Sequence, residues 1–449
     1  MALGASALRE KWAPVERNGF PVMKGYVPGV GHTLALHFDA AGALGRAERE
    51  LGPFVQVDLG FGNWYLFCFG AETFDLLKNK AVILAGSRES LQYLVGGALV
   101  TIDGAHHRHV RSAMSPTFSA SGLSQSTVAP ICCETVVEHV RRFVQKGGGK
   151  AHEHTQHMTL DVIFRIVGVS VSELEVWRSQ YRKALWGLIP FPVESVGSPR
   201  YFAKKAVGWI DGQLAQMAER ARSEEGQSML HHLVRAKDED GEPLSREDLI
   251  ANLRLLFLAG HETTATTTAW ALIHLARRPD LVRRLTAEVK AAGGTPPLTM
   301  VEAKKLALCE AVFRESVRLY GPAWFIERKL TEDITVHGAT LPAGTIVALP
   351  AVRWARDERI YPNPEQFDPD RWLGKKEAPT PYELSQFGGG VHFCLGYHLA
   401  WLESVQYLAA LVIALDKAQK ELRLVAKTLP KVAYFPMAHP SPSPTISVE

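Results

Sequence analysis

A long and mostly apolar run, from Leu249 to Ala276, constrains the fold of this chain more than any other feature. Ser245 precedes it with Asp248 three residues later, a pattern typical of a helix N-terminus, and a basic pair before Pro279 indicates where the helix stops. At about 1.5 Å per residue, the predicted helix is a rod roughly 50 Å long. Because it is apolar around much of its circumference, we expect it to cross the core of the molecule.

Composition excludes several classes of protein. The 449 residues are 46% hydrophobic and 22% charged, which is ordinary for a globular protein and excludes general disorder. A formal net charge of +3 is too small to indicate a nucleic-acid partner. The five cysteines form no C-x-x-C pair, which disfavours a disulfide framework or a zinc ribbon and favours a reducing compartment. No apolar run at the N-terminus is long enough for a signal peptide or a membrane anchor, so we expect a cytoplasmic monomer.

The pattern of strands and helices predicts a single domain over residues 1–449, mainly α with small β-sheets. Strand-like segments lie in residues 20–70 and again in 328–350, which we assign to a small β-rich lobe. Residues 105–320 and 395–416 have a helical pattern and form the predicted α-rich lobe. We see no internal repeat and no low-complexity linker between the lobes.

A glycine-rich stretch with one cysteine, Phe387 to Gly396, reads FGGGVHFCLG. Its three glycines permit a tight turn whose backbone can lie flat against a planar ligand. Cys394 stands at the start of a predicted helix, Leu395 to Leu415, where unpaired N–H groups and the helix dipole stabilise a thiolate. Thiolate is the form of cysteine that binds haem iron. The alternative is a buried structural cysteine, which a lone cysteine would favour.

Two further motifs carry polar residues within predicted helices. Ala259 to Thr264 reads AGHETT, where glycine costs about 1 kcal/mol relative to alanine and threonine hydroxyls can bond back to the preceding turn and bend it. Glu315 and Arg318 share a helix face, and an exposed pair of this kind contributes only about 0.2–0.5 kcal/mol. Taken alone, the first is an ordinary polar patch between two helices and the second a solvated ion pair.

Together these motifs resemble those of the cytochrome P450 family, in the family's order, from about residue 20 to residue 440. The Cys394 loop resembles the family's haem loop, F-G-x-G-x-H/R-x-C-x-G, with Glu403 in the continuation. AGHETT resembles A-G-x-D/E-T-T, and Glu315 with Arg318 resembles the Glu-x-x-Arg pair. The stretch 367–372, FDPDRW, resembles F-x-P-E/D-R-F/W, with aspartate where glutamate is commoner.

The resemblance implies the fold of that family, with the long helix over a haem b, and Cys394 as the proximal iron ligand. Other cofactor-binding residues implied by the motifs are His107, Arg111, Arg328, His392, Phe387, Gly388, Gly396 and Ala259. Four of these, His107, Arg111, Arg328 and His392, are the expected propionate ligands. Glu262 is expected to relay protons from solvent, and Thr263 to hold the group that receives them. Glu315, Arg318 and Arg371 are expected to lock the segment that presents Cys394.

The implied function is a monooxygenase that inserts one oxygen atom from O2 into a C–H bond of a lipophilic substrate. No flavin or nicotinamide domain is apparent, so electrons are expected from a ferredoxin and its reductase, docked on a basic face beneath the Cys394 loop. Two alternatives stay open: a peroxygenase that uses hydrogen peroxide, and a non-catalytic haem binder or gas sensor. The Glu262-Thr263 pair argues against both.

The substrate is the least determined feature. The candidate pocket walls are residues 82–100, residues 187–199 as a lid, Leu256, Ala259, Ala323, Trp324, Phe325 and residues 435–437. These segments are apolar and bulky, which suits a fatty acid, a terpenoid or a steroid. We expect five other histidines to be solvated or incidental, namely His106, His109, His152, His154 and His157.

Overall fold

The computed structural model describes residues 15–84, 94–188, 195–374, 383, 385–435 and 437–449. Parts of two predicted pocket segments, 82–100 and 187–199, therefore lie outside the described residues, as does Pro436 in the third.

The predicted long helix runs over Arg246–Leu275. Ser245 caps it by accepting a hydrogen bond from the backbone N–H of Asp248 at 3.0 Å, and the next helix begins at Pro279. The α-helices of the described residues are α1 (Thr33–His37), α2 (Ala40–Leu51), α3 (Gly104–Phe118), α4 (Ala120–Gln125), α5 (Val128–Gln145), α6 (Ala151–Val167), α7 (Leu174–Leu185), α8 (Pro199–Ser223), α9 (Met229–Val234), α10 (Arg246–Leu275), α11 (Pro279–Ala291), α12 (Met300–Ala303), α13 (Ala307–Tyr320), α14 (Ala351–Trp354) and α15 (Tyr397–Ala418).

Two helix pairs make the most extensive contacts between helices in the described part of the chain. Helix α6 packs along α10, where Thr155 donates to the carbonyl of Ala265 at 2.8 Å and Thr159 donates to that of His261 at 3.0 Å. Helix α15 packs against α5. Among the described residues, α15 is long and apolar enough to cross a membrane by length and composition, but 78% of its most apolar window is buried inside the protein. It is therefore a core helix.

The β-structure is confined to small sheets, so the prediction of a mainly α chain with small sheets is confirmed. The largest has the order β3-β4-β10-β7-β5 and combines the two predicted β-rich segments, because β10 pairs in parallel with β4. The strands are β1 (Glu16–Arg17), β2 (Phe20–Pro21), β3 (Phe54–Asp58), β4 (Trp64–Cys68), β5 (Val82–Ile83), β6 (Gly148–Lys150), β7 (Ile326–Leu330), β8 (Ile334–Val336), β9 (Ala339–Leu341), β10 (Ile346–Leu349), β11 (Leu422–Leu424), β12 (Lys431–Ala433), β13 (His439–Ser441) and β14 (Thr445–Val448).

Candidate functional site

A cavity of about 470 Å³ lies between the long helix α10 and the Cys394 loop. Most of the residues singled out from the sequence line it, although they come from distant parts of the chain. They are His107, Arg111, Leu256, Ala259, Thr263, Ala323, Phe325, Arg328, Phe387, Gly388, His392, Cys394 and Gly396. The charged and histidine members come from α3, β7 and the Cys394 loop, whereas α10 contributes apolar residues together with Thr263, Asn252, Thr264 and Thr267.

Cys394 lies three residues before helix α15, which begins at Tyr397 and not at Leu395 as expected. Its backbone N–H donates to the carbonyl of Phe387 at 2.8 Å, which closes the loop. Burial raises the pKa of the Cys394 thiol, although the N–H of Gly396 and the charge of Arg111 act in the opposite direction. The helix end therefore does not ionise this thiol by itself. A bound metal ion would, because coordination deprotonates a thiol outright.

The three glycines of the loop meet different structural constraints. Gly388 lines the cavity, as the expected contact with a planar ligand requires. Gly390 instead passes the short helical segment that ends at Lys78: a Cβ on Gly390 would lie 2.0 Å from the carbonyl oxygen of Leu77. Gly390 also has φ +62°, which side-chain-bearing residues rarely adopt. Gly389 likewise faces Leu77 and Phe74, so only part of the glycine pattern serves the ligand.

Two guanidinium groups face the cavity without an acidic partner. Arg328 is 7% exposed and donates to the carbonyl of Glu327 at 2.8 Å, and burial lowers its pKa. Arg111 donates to the carbonyl of Phe393 at 2.7 Å. Neither has an Asp or Glu oxygen within 4.0 Å in the described part of the chain. A buried cation without a counter-ion is costly, so this pair fits the carboxylates of a haem.

Burial acts against a positive charge on both histidines predicted as propionate ligands. Burial lowers the pKa of His107 to about 4, and the nearby His392 and Arg111 act in the same direction. Burial also lowers the pKa of His392, although Asp103 opposes this with a hydrogen bond of 2.9 Å between its Oδ1 and the ring Nε2. The rings lie 4.2 Å apart. Sequence reasoning missed Asp103, whose other oxygen accepts the N–H of Leu84 at 3.1 Å.

Thr263 faces the cavity, and its hydroxyl donates back to the carbonyl of Ala259 at 2.5 Å, as the motif suggested. Helix α10 is continuous through this turn. Helix packing requires glycine at position 260, because a Cβ there would lie 2.5 Å from Cδ1 of Ile163 on α6. The glycine therefore permits the close approach of the two helices.

Glu262 does not line the cavity. Its Oε1 lies 3.0 Å from Nε2 of His152, and its Oε2 accepts from the side chain of Gln156 at 2.8 Å, both on α6. Burial alone would raise the pKa of Glu262, but His152, together with His261 and Gln156, lowers it to about 2. Consecutive helical residues do not face the same way, so Glu262 and Thr263 point to different neighbours. The expectation that His152 is solvated is wrong, because it is 6% exposed and paired.

Glu315 and Arg318 form a buried pair and not a solvated one. Their side chains are 0% and 1% exposed, and Arg318 donates to both carboxylate oxygens of Glu315, at 2.7 and 2.9 Å. Arg371 adds a contact of 3.0 Å to Oε1 of Glu315. Trp372, which sequence reasoning missed, donates to Oε2 at 2.9 Å. The network ties α13 to the FDPDRW segment.

Trp324 is the predicted pocket residue that the structure places elsewhere. It is 2% exposed and packs among aromatic residues of the β-rich region, with its ring 6.3 Å from that of Phe67 and 5.8 Å from that of Tyr434. Its neighbours Ala323 and Phe325 line the cavity. The prediction for Trp324 is therefore wrong, because the tryptophan side chain fills the core behind the strand. Phe435 stacks on His37 and also lies outside the cavity lining.

Comparisons with known proteins agree with one another. The sequence matches the family model described as Cytochrome P450 over residues 44–416. It is 34% identical to the "Cytochrome P450 BJ-4 homolog" of Sinorhizobium fredii (strain NBRC 101917 / NGR234), over 95% of each chain. It is 28% identical to "Cyclooctat-9-en-7-ol 5-monooxygenase" of Streptomyces melanosporofaciens, over 90% of each. The solved structure "Retinoic acid bound cyanobacterial CYP120A1" superposes with a TM-score of 0.81 at 23% identity, covering 96% of this chain and 100% of that one.

Proposed function

The chain belongs to the cytochrome P450 family and is a haem-dependent oxidoreductase of that type, and we propose that it hydroxylates a lipophilic small molecule. One oxygen atom of O2 enters a C–H bond of a fatty acid, terpenoid or steroid. Electrons come one at a time from a separate donor, a ferredoxin with its reductase, docked on the face beneath the Cys394 loop. The enzyme works as a monomer in the cytoplasm.

One observation carries the proposal: Cys394 and Thr263 line the same cavity, one from the loop and the other from α10. When bound there, haem supplies the activation of O2. Cys394 would hold its iron, and Arg111 and Arg328 would neutralise its carboxylates, with His107 and His392 as hydrogen-bond donors. The Thr263 hydroxyl would hold a proton within the cavity, because it can donate its hydrogen bond to another acceptor instead of the carbonyl of Ala259.

The walls of the cavity support an apolar substrate. Leu256 and Ala259 from α10 and Phe325 line it, together with Leu99 and Val100. Such side chains exclude water and offer an apolar substrate no competing charge. Two similar proteins point the same way. The Streptomyces relative is named as a monooxygenase of cyclooctat-9-en-7-ol, and the cyanobacterial neighbour is described as bound to retinoic acid.

The carbon monoxide difference spectrum of the reduced protein tests the chemistry. We expect a band typical of thiolate ligation in the native protein and its loss in Cys394→Ser, because a hydroxyl does not donate charge as a thiolate does. A Cys394→Ser protein that keeps the thiolate band would contradict the ligand assignment. The four other cysteines are each buried, so Cys68→Ser serves as a control that keeps the band.

The electron source and the substrate class need a second experiment. Lipophilic compounds are screened for a shift in haem spin state, and the compounds found are incubated with NADPH, ferredoxin and reductase, or with hydrogen peroxide alone. Hydroxylated product that requires the redox partners supports the proposal. Turnover with peroxide alone would indicate a peroxygenase, and tight binding without product in either mixture would indicate a haem-based binder.

A further inference from the structure

The carboxylate of Glu262 is held on the side of α10 that faces α6, away from the cavity. His152 contacts one oxygen at 3.0 Å and Gln156 donates to the other at 2.8 Å. Both oxygens therefore have a partner on α6. In this arrangement the carboxylate of Glu262 does not line the cavity that Thr263 lines.

The surroundings of this pair contain several titratable groups. Nε2 of His152 also lies 3.3 Å from the hydroxyl of Thr266 on α10, and its ring stacks at 5.9 Å on that of His439 on β13. His439 is half-buried, so the ring stacked on the buried His152 is itself partly exposed to solvent. On the other side, the ring of Tyr181 from α7 lies 5.6 Å from that of His261 on α10.

Only one of the two groups in contact with the carboxylate can deliver a proton. The amide of Gln156 donates a hydrogen bond but does not release its hydrogen, whereas an imidazole gains and loses a proton near neutral pH. With its pKa lowered to about 2, Glu262 is ionised at pH 7 while this contact lasts. It must therefore gain a proton before it can give one, and the nearest donor is the ring Nε2 of His152.

We propose, as a refinement that rests on the monooxygenase function above, that His152 is the residue through which Glu262 takes protons from solvent. The proton moves from Nε2 of His152 to Oε1 of Glu262, which leaves a neutral imidazole and a neutral carboxyl group. The neutral carboxyl group then loses its attraction to His152, turns toward the cavity and releases the proton on the Thr263 side. His152 regains a proton from solvent along the edge occupied by His439, so no proton is created or lost.

Two substitutions separate proton delivery from the positioning of Glu262. His152→Ala removes both, whereas His152→Gln keeps an N–H donor for Glu262 but cannot carry a proton. Since proton transfer by a positioned side chain contributes about 10²–10⁴-fold, we expect the rate of product formation to fall by roughly 10²-fold in both variants. His157→Ala is the matched control, because His157 lies on the same helix but is exposed, and it should turn over like the native protein.

A second readout does not depend on turnover. In the infrared difference spectrum between His152→Ala and the native protein at pH 5, we expect an added band of a neutral carboxyl group, and we expect this band to disappear when Glu262→Gln is combined with His152→Ala. Glu403, whose pKa is also raised by burial, is present in all of these proteins, so its band cancels in the difference. The reason is that loss of His152 leaves burial as the main influence on the pKa of Glu262, which then rises. A Glu262 carboxylate that stays ionised in His152→Ala would overturn the proposal.

The outcome for His152 is distinguishable from the outcome for the proposed function. If the native protein gives the thiolate band and makes product with its redox partners, the function stands whatever His152 does. Product formation by His152→Gln at the native rate would then show that His152 only positions Glu262, and the relay would be refuted. If the native protein makes no product with any donor, the proposed function itself fails.

Discussion

Arg318 is a buried guanidinium that joins α13 to the segment after α14. Beyond its two bonds to Glu315, it donates to the carbonyl oxygens of Ala355 and Pro364, both at 2.7 Å, and of Gln366 at 3.2 Å. Arg318→Ala would remove all of these donors at once. It would leave a carboxylate that is 0% exposed with less of its positive charge, and the carbonyl oxygens without this donor.

The expected decrease in the free energy of unfolding of Arg318→Ala is large compared with the total stability of a protein. Breaking a buried, hydrogen-bonded ion pair by removing one partner costs about 3–5 kcal/mol. We expect a value near 3 kcal/mol, the lower end of that range, because Arg371 and Trp372 still contact Glu315. The free energy of unfolding of most proteins is only about 5–15 kcal/mol, so the variant should also lose haem during purification.

The measurement is urea unfolding followed by circular dichroism, together with haem absorbance per unit of protein. Arg284→Ala is the control, because its pair with Asp370 is 42% and 52% exposed and such pairs contribute only about 0–1 kcal/mol. An Arg318→Ala protein that keeps its full haem content and unfolds within about 1 kcal/mol of the native protein would refute the reasoning.

Three further predictions concern single residues. Thr263→Ala should raise the hydrogen peroxide released per NADPH and lower the product, with the substrate-induced spin shift preserved; unchanged coupling would remove Thr263 from the mechanism. Gly390→Ala should lower the free energy of unfolding by about 1–3 kcal/mol through backbone strain alone, and by a further amount through the clash with Leu77. The control is Gly344→Ala, which has φ +82° but no atom within 4 Å of its Cβ, so it should cost less. Burial, with Arg277 and Arg278, lowers the pKa of His274 from 6.5 to about 3, so the unfolded chain binds a proton that the folded protein excludes and acid destabilises the protein. Between pH 6.5 and 5 the loss is about 1.6 kcal/mol, because the unfolded histidine is already half-protonated at pH 6.5. In urea unfolding His274→Gln should lose less over that interval, and an equal loss would contradict the burial argument.

Features that depend on neighbouring residues in the chain were predictable from the sequence. Ser245 and Pro279 mark the ends of α10 because a cap and a helix stop act within one turn. The strands β3 and β4 both lie within the predicted strand-rich segment 20–70. The Cys394 loop was predictable because its ten residues resemble the haem loop of the family. In contrast, Trp324 lies between two residues that face the cavity, and nothing in its local sequence indicates that its own ring fills the core.

The motif around Glu262 illustrates why facing directions could not be predicted. Gly260 has a low helix propensity, but it lets Ile163 and the rest of α6 approach α10 closely. That approach brings His152, more than a hundred positions away in the chain, onto Glu262. Adjacent residues of an α-helix with 3.6 residues per turn project about 100° apart, so when Glu262 faces α6 the next residue, Thr263, turns to the cavity. The sequence specifies which residue types are adjacent, whereas the packing of α6 decides which of them meets the substrate and which meets the source of protons.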